Sequence, residues 1–289
     1  MNTHPHEKKI EVSATAKVVL AIKEFYNTPN WPGARKKPLY SGTHKQLFLS
    51  EADMESVKLR AEPPEVLQSL AVRERWFNKI CRAAIKKENI QQIIILGSGF
   101  DTRPYKLNPA NQQGKPHEKV YSQVKFFEVD CAENLDTKEA IFADNGIDKN
   151  AVYVRADYTD PDFMDKLQSH GVKVDSPTLI IWEGNSMYLQ LKQIKKLFLN
   201  LQTSFNNVVI AFDYFSRTFI QGPPSCFALH RMGMWKTGLN EDDLKELAIK
   251  CHLTVVSTES IAELEQHYQV NNQPPSESHQ YHCAVLKKA

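Results

Sequence analysis

The chain has 289 residues, 42% hydrophobic and 24% charged, with a formal net charge of +2. That balance is ordinary for a globular protein, and the length is ample for a sizeable core. A near-neutral chain without a basic tract points away from nucleic acid, and no apolar run approaches the roughly 20 residues of a membrane span.

Val12, Ala16, Val19 and Leu20 fall at helical spacing and predict a helix to Tyr26. Residues 27–50 are irregular, with Pro29, Pro32, Gly33, Pro38 and Gly42, and Arg35-Lys36-Lys37 reads as a solvated turn, with an anion site as the alternative. Pro63 and Pro64 open a helix to about Lys87, at the positions where proline costs least. Leu67, Leu70, Phe77, Ile80, Ala84 and Ile85 form its apolar stripe, and it carries Arg73 and Arg75.

Next comes Ile93-Ile94-Ile95-Leu96, an apolar run without polar alternation, which predicts a strand buried on both faces. It stops at Gly97-Ser98-Gly99. Two glycines let the backbone turn sharply and approach a ligand, and ligands bind at the carboxyl ends of parallel strands. Asp101 follows, and Thr102 stands where a dinucleotide fingerprint has its third glycine. A carboxylate beside a pyrophosphate would be repelled, and no Gly-Lys-Ser/Thr follows as in a P-loop.

Residues 108–122 read as a loop, and 124–130 as a second buried strand ending in Glu128-Val129-Asp130. An acid there suits a ribose diol, whose two O–H donors want one carboxylate. Glu128 and Asp130 share a face, and Asp130 is preferred because it lies nearer the strand's end. A helix over 133–143 leads to a strand over 151–156 that ends in Asp157-Tyr158. Asp160-Pro161 predicts an N-cap and first helical position for a helix to Ser169. The fourth strand, Thr178 to Trp182, ends in Glu183. Leu191, Ile194, Leu197, Phe198 and Leu201 mark an amphipathic helix, and the fifth strand, Val208 to Phe212, ends in Asp213-Tyr214.

Residues 216–239 interrupt the alternation with Gly222, His230, Met232, Met234 and Trp235, and read as a lid over a substrate or as a loop packed for stability. Asn240 caps a helix through Lys250, and residues 253–257 and 279–286 read as closing strands separated by a polar stretch. Strands with acidic ends thus alternate with helices at least four times, the signature of a doubly wound parallel sheet. Asp130, Asp157 and Glu183 would share one rim with Gly97. Cys81, Cys131, Cys226, Cys251 and Cys283 are scattered without paired spacing, which suits reduced thiols in the cytoplasm and offers no zinc site. The N-terminus leads into no apolar segment, so no secretory signal is expected.

Four stretches then act together: Val72-Arg73-Glu74-Arg75-Trp76-Phe77, Leu96-Gly97-Ser98-Gly99-Phe100-Asp101-Thr102-Arg103, Phe127-Glu128-Val129-Asp130, and Glu183-Gly184-Asn185-Ser186-Met187-Tyr188-Leu189. In order and spacing they resemble the leucine carboxyl methyltransferase family, which includes many bacterial S-adenosylmethionine-dependent O-methyltransferases. The resemblance covers roughly residues 10–215. It implies an α/β class I methyltransferase fold: a Rossmann-like, doubly wound, seven-stranded and mostly parallel sheet, with the last strand antiparallel. The whole chain, 1–289, would be one domain, with helical lid elements from about 10–60 and an insertion at about 216–239. S-adenosyl-L-methionine would be the cofactor. By resemblance Arg73 holds its methionine carboxylate, Gly97 lies beneath it and Asp130 takes the ribose. Asp157 with Tyr158 meets the adenine, and Glu183 lies near the amino group. Gly99 and Asp101, in the same corner, complete the candidate set. The family more often has leucine where Tyr158 stands.

The ligand's chemistry agrees with these roles. It carries a carboxylate, an ammonium, a sulfonium and a ribose diol but no phosphate, so it needs an arginine fork and acids rather than a phosphate cradle. The expected acceptor is an oxygen of a small molecule or peptide, with a carboxylate favoured because it is ionised at neutral pH and needs no base. A hydroxyl acceptor wants a base, and His230 is the one catalytic candidate. Two other classes are an NAD-dependent oxidoreductase, against which Thr102 argues, and a cofactor-binding protein without turnover.

Overall fold

The computed structural model describes residues 17, 19–21, 44–51, 53, 64–107, 123–223, 230, 233–270 and 276–289. Most of the helix expected over 12–26, the irregular stretch to residue 43 and the loop over 108–122 lie outside the described residues.

Among the described residues seven strands form one sheet: β1 Gln92–Leu96, β2 Lys125–Asp130, β3 Val152–Arg155, β4 Thr178–Trp182, β5 Val208–Phe215, β6 Leu253–Ser260 and β7 Tyr281–Lys288, in the order β3-β2-β1-β4-β5-β7-β6. The first five pair in parallel, and β7 runs antiparallel between β5 and β6. The helices are α1 Pro64–Lys87, α2 Arg103–Leu107, α3 Ala132–Asp144, α4 Phe163–Ser169, α5 Leu191–Ser204, α6 Arg217–Ile220, α7 Glu241–Lys250 and α8 Ile261–His267. This is the expected Rossmann-like α/β architecture.

The unalternating strands are explained by a core on each face. Ile93, Ile95, Leu179, Ile181, Val209 and Ala211 pack with Trp76, Phe77, Cys81 and Ile85 of α1. Ile94, Leu96, Ile180, Trp182, Ile210 and Phe212 face the other way, onto Phe163 and Leu167 of α4, Ile194 and Phe198 of α5, and Leu244 of α7. Successive side chains alternate faces, so a strand covered on both must be apolar throughout.

Among the differences from the sequence reading, three have a clear physical cause. α4 begins at Phe163, not Pro161, with Asp162 at the cap position and no side-chain cap bond. Asp160 instead receives Lys166 Nζ at 3.3 Å, and the fully buried Phe163 anchors the helix start. β5 runs on to Phe215 because Asp213, Tyr214 and Phe215 pair with Cys283, His282 and Tyr281 of β7. The polar stretch between the closing strands holds α8, which Ser260 and Glu263 start with a reciprocal capping box and Ile261 and Leu264 bury.

The register builds the site. Leu96 lies opposite Val129, Ile95 opposite Ile181, and Trp182 opposite Phe212. Continued one residue past Val129, Leu96, Trp182 and Phe212, this register places Asp130, Gly97, Glu183 and Asp213 in a row across β2, β1, β4 and β5. The chain order reverses between β1 and β4, and such a switch point opens a crevice at the carboxyl edge.

Candidate functional site

The corner after β1 needs its glycines. Gly97 has φ +61° and Gly99 φ +48°, a region that costs other residues about 1–2 kcal/mol. A Cβ at Gly97 would lie 2.5 Å from Asn185 Oδ1. The Ser98 amide donates to the Val129 carbonyl at 3.0 Å and the Gly99 amide to Asp130 Oδ2 at 2.6 Å. Asp130 Oδ1 accepts from the Cys131 amide at 2.7 Å and from Asn134 Nδ2 at 2.8 Å. Asp130 is therefore fixed at the rim by three donors before any ligand arrives. Ser98 Oγ is buried in this corner with no hydrogen-bond partner among the described residues. Glu128 is fully buried, with Lys138 Nζ on its Oε2 at 2.5 Å. Burial pushes its carboxyl up to about 7, against the pull of Lys138.

Next along the row is a buried network of charge. Arg73 Nε donates to Glu183 Oε1 at 3.1 Å. Its Nη1 lies 3.4 Å from Asp213 Oδ2 and also donates to the Tyr281 hydroxyl, which in turn donates to Asp213. Arg103, at the start of α2, bridges Glu183 Oε2 and Asp101, and its Nε donates to Asn78 Oδ1 at 3.1 Å. Glu183 thus carries one guanidinium on each oxygen. The Gly184 amide donates to Asp213 Oδ1 at 2.6 Å, and a Cβ at Gly184 would sit 3.2 Å from Arg73 Nη1. Burial raises the Asp213 carboxyl above its ordinary range, opposed by Arg73. Such charges are tolerated away from water only when paired and hydrogen-bonded. Arg75, two residues from Arg73, instead lies over the Tyr268 ring at 4.2 Å.

The structure thus brings Arg73, Gly97, Gly99, Asp101, Asp130 and Glu183 into one bonded cluster. Asp157 and Tyr158 adjoin it through the Ala156 amide, which donates to the Asp130 carbonyl at 3.0 Å. Asp157 is exposed and accepts from the Thr159 amide at 2.8 Å, while Tyr158 lies edge-on to Trp182 at 6.0 Å. His230 lies in an aromatic column that leads to Tyr281. It stacks on Trp235 at 5.8 Å, Trp235 on Phe215 at 4.4 Å, and Phe215 on Tyr281 at 4.1 Å. Its Nε2 lies 3.2 Å from the Ile220 carbonyl oxygen. Three ring contacts therefore separate it from the tyrosine that meets Arg73.

Of the expected lid elements, residues 22–43, 54–63, 224–229 and 231–232 lie outside the described residues. Their described parts dock on the site's frame. The Lys236 amide donates to the Met187 carbonyl at 2.7 Å, and Phe48 stacks on Phe100 at 5.0 Å, just after the glycine corner. Sequence reasoning missed Arg103, Asn185 and Tyr281 as site residues, and saw Asp213 only as a strand end. Arg103 and Asn185 stood inside quoted motifs. Tyr281 carried no local signal, because only the antiparallel β7 brings it in.

A profile of the family described as leucine carboxyl methyltransferase matches residues 21–202, well over half of the chain. The chain belongs to that family. A Mycolicibacterium smegmatis protein, provisionally named an S-adenosyl-L-methionine-dependent methyltransferase, is 31% identical over 137 residues, or 46% of this chain and 41% of its own. A Mycobacterium marinum protein with the same provisional name is 28% identical over 163 residues, 55% of this chain and 50% of its own. The chain thus spans about half the length of the curated relatives it matches. Among solved structures, a DUF574 family protein from Streptomyces avermitilis superposes with a TM-score of 0.64 at 15% identity, over 95% of this chain and 97% of the other. A protein from Thermobifida fusca superposes with a TM-score of 0.59 at 16% identity, over 95% and 94%. At such identities the likeness shows the fold alone. Among the described residues no helix is long and apolar enough to cross a membrane, and no group of three His, Cys, Asp or Glu could hold a metal ion.

Proposed function

We propose that this chain is an S-adenosylmethionine-dependent methyltransferase acting on an oxygen of a small-molecule or peptide acceptor, with a carboxylate favoured. One observation carries the reading: Asp130, Gly97, Glu183 and Asp213 form a row at the switch point, with Arg73 and Arg103 both on Glu183. The donor set suits the ligand. Arg73 would hold the methionine carboxylate, Glu183 the ammonium and Asp130 the ribose diol, while Asp157 and Tyr158 would flank the adenine. Each carboxylate oxygen has lone pairs beyond those used here. The glycine corner admits close approach, and the unpartnered Ser98 hydroxyl offers a further polar contact. When bound, S-adenosylmethionine supplies a methyl carbon on a sulfonium, and the C–S electron pair leaves on a neutral sulfur. The chain's contribution is to hold both partners in line and exclude water.

The carboxylate preference rests on the family likeness and on acceptor chemistry. A hydroxyl acceptor would need a base, and His230, held in the aromatic column with Nε2 3.2 Å from the Ile220 carbonyl oxygen, is the candidate. An ionised carboxylate needs none.

The first test is a thermal-shift panel of S-adenosylmethionine, its demethylated product, NAD and ATP. At 100 times Kd a ligand stabilises by about 2.7 kcal/mol. A shift with NAD and none with S-adenosylmethionine overturns the reading. The second is radiolabelled methyl transfer to carboxylic acids, phenols and peptides, followed by mild alkali. A carboxyl ester releases volatile methanol. Alkali-stable label on a phenol overturns the carboxylate preference and makes His230 the base to test.

A further inference from the structure

Beneath the glycine corner lies a buried ion pair with no direct part in the site. Lys138 of α3 and Glu128 of β2 are both fully inaccessible, with Nζ 2.5 Å from Oε2. Among the described residues Glu128 Oε1 has no hydrogen-bond partner. A half-satisfied pair in the core is a poor source of stability, since apolar residues of similar volume commonly serve as well or better. Lys138 makes one further hydrogen bond, and it is informative: Nζ donates to the backbone carbonyl of Asp101.

That carbonyl belongs to the segment connecting Gly99 to α2. The Asp101 amide donates to the Ser98 carbonyl at 2.9 Å, and Asp101 Oδ1 accepts from the Arg103 amide at 2.7 Å. The Asp101 carboxylate also pairs with the Arg103 guanidinium, which reaches Glu183. A chain of contacts therefore runs from Lys138 through Asp101 and Arg103 to Glu183. A second set fixes the other side of the corner, from Gly99 to Asp130. We infer that Lys138 is a positioning residue: its ammonium ties the Asp101 carbonyl to β2 and α3, and so sets the glycine corner and Glu183 for the cofactor. Lys138 touches no ligand. It acts by pre-organising a loop that would otherwise be ordered only on binding. At metal sites, groups that orient the ligand-holding residues change affinity by about 10–100-fold when removed, and the same scale is expected here.

This inference rests on the proposed cofactor, so the experiment begins with calorimetry of S-adenosylmethionine on the wild-type protein. No binding there counts against the proposed function, not the tether. Given binding, three variants are compared at a temperature below every Tm. Lys138→Met removes the tether and strands Glu128, so both Tm and affinity fall. Glu128→Leu/Lys138→Met replaces the pair with apolar groups: Tm recovers towards wild type while affinity stays about 10-fold weak. In that variant hydrogen exchange of the Gly99 and Asp101 amides accelerates, while that of β2 does not. Glu128→Gln keeps an acceptor for Lys138 and leaves the tether, so affinity stays near wild type. The inference is overturned if the double variant binds as wild type does. It is also overturned if Glu128→Gln loses as much affinity as Lys138→Met, because the effect would then follow the ion pair. Should the double variant not fold, the comparison of the two single variants decides.

Discussion

Gly97→Ala is the sharpest probe of the corner. The new methyl meets two separate penalties. At φ +61° a residue with a Cβ costs about 1–2 kcal/mol. The Cβ would also lie 2.5 Å from Asn185 Oδ1 and 2.7 Å from both Cγ and Nδ2. Asn185 cannot swing aside freely, because its Nδ2 donates to the Glu183 carbonyl at 2.7 Å. Forcing an extra methyl into such packing costs about 1–3 kcal/mol. The sum is about 2–5 kcal/mol, or a Tm lowered by roughly 4–20 °C at about 2–4 °C per kcal/mol. Denaturant unfolding at unchanged m measures it. The variant Gly97→Ala/Asn185→Ala separates the terms. It keeps the φ penalty and forfeits hydrogen bonds worth about 1 kcal/mol, but it removes the collision, so the two changes couple favourably by about 1–3 kcal/mol. A Gly97→Ala protein within about 0.5 kcal/mol of wild type, or strict additivity in the cycle, would refute the reasoning.

Arg73→Ala should weaken S-adenosylmethionine binding by about 1.5–3 kcal/mol in calorimetry, and Arg75→Ala by little, since Arg75 lies on Tyr268; equal affinities for wild type and Arg73→Ala would show the wrong arginine. Arg103→Lys keeps the charge but loses the fork that spans Asp101 and Glu183, so affinity should drop about 10-fold even though the net charge is unchanged. Tyr281→Phe strips a donor from the buried Asp213 and an acceptor from Arg73, lowering stability by about 1–3 kcal/mol on denaturant unfolding. For pH, burial raises the Glu128 carboxyl from 4.5 to about 7, with Lys138 opposing. The folded state then binds this proton more tightly than the unfolded chain. Its stabilisation is complete below 4.5 and fades as pH rises through about 7. Glu128→Gln should flatten that part of the stability profile, and profiles that stay parallel would contradict the assignment.

Much of this architecture was written locally. Ile93 to Leu96 and Thr178 to Trp182 are apolar without alternation, which only a doubly covered strand requires, and both stand as strands. Strand ends at Asp130 and Glu183 followed from the same runs, because a parallel sheet places every carboxyl end on one edge. What local pattern could not give was the competition for those carboxylates. Arg73 and Glu183 are 110 residues apart, and Arg73 and Tyr281 are 208. Their meeting depends on α1 crossing the sheet and on β7 turning back between β5 and β6. The same return extended β5 past Phe212 and buried Asp213, which looked like a free strand end. Glu128 and Asp130 were equivalent by periodicity, since both point to one face. Tertiary packing separated them by placing Lys138 under one and the glycine corner against the other. His230 stood in an aromatic insertion, and only the tertiary structure shows that its ring stacks on Trp235. Composition and period set which residues reach the carboxyl edge. Contacts between distant elements decide which of them keep a charge facing the crevice, because a buried charge must find its partner wherever the fold supplies one.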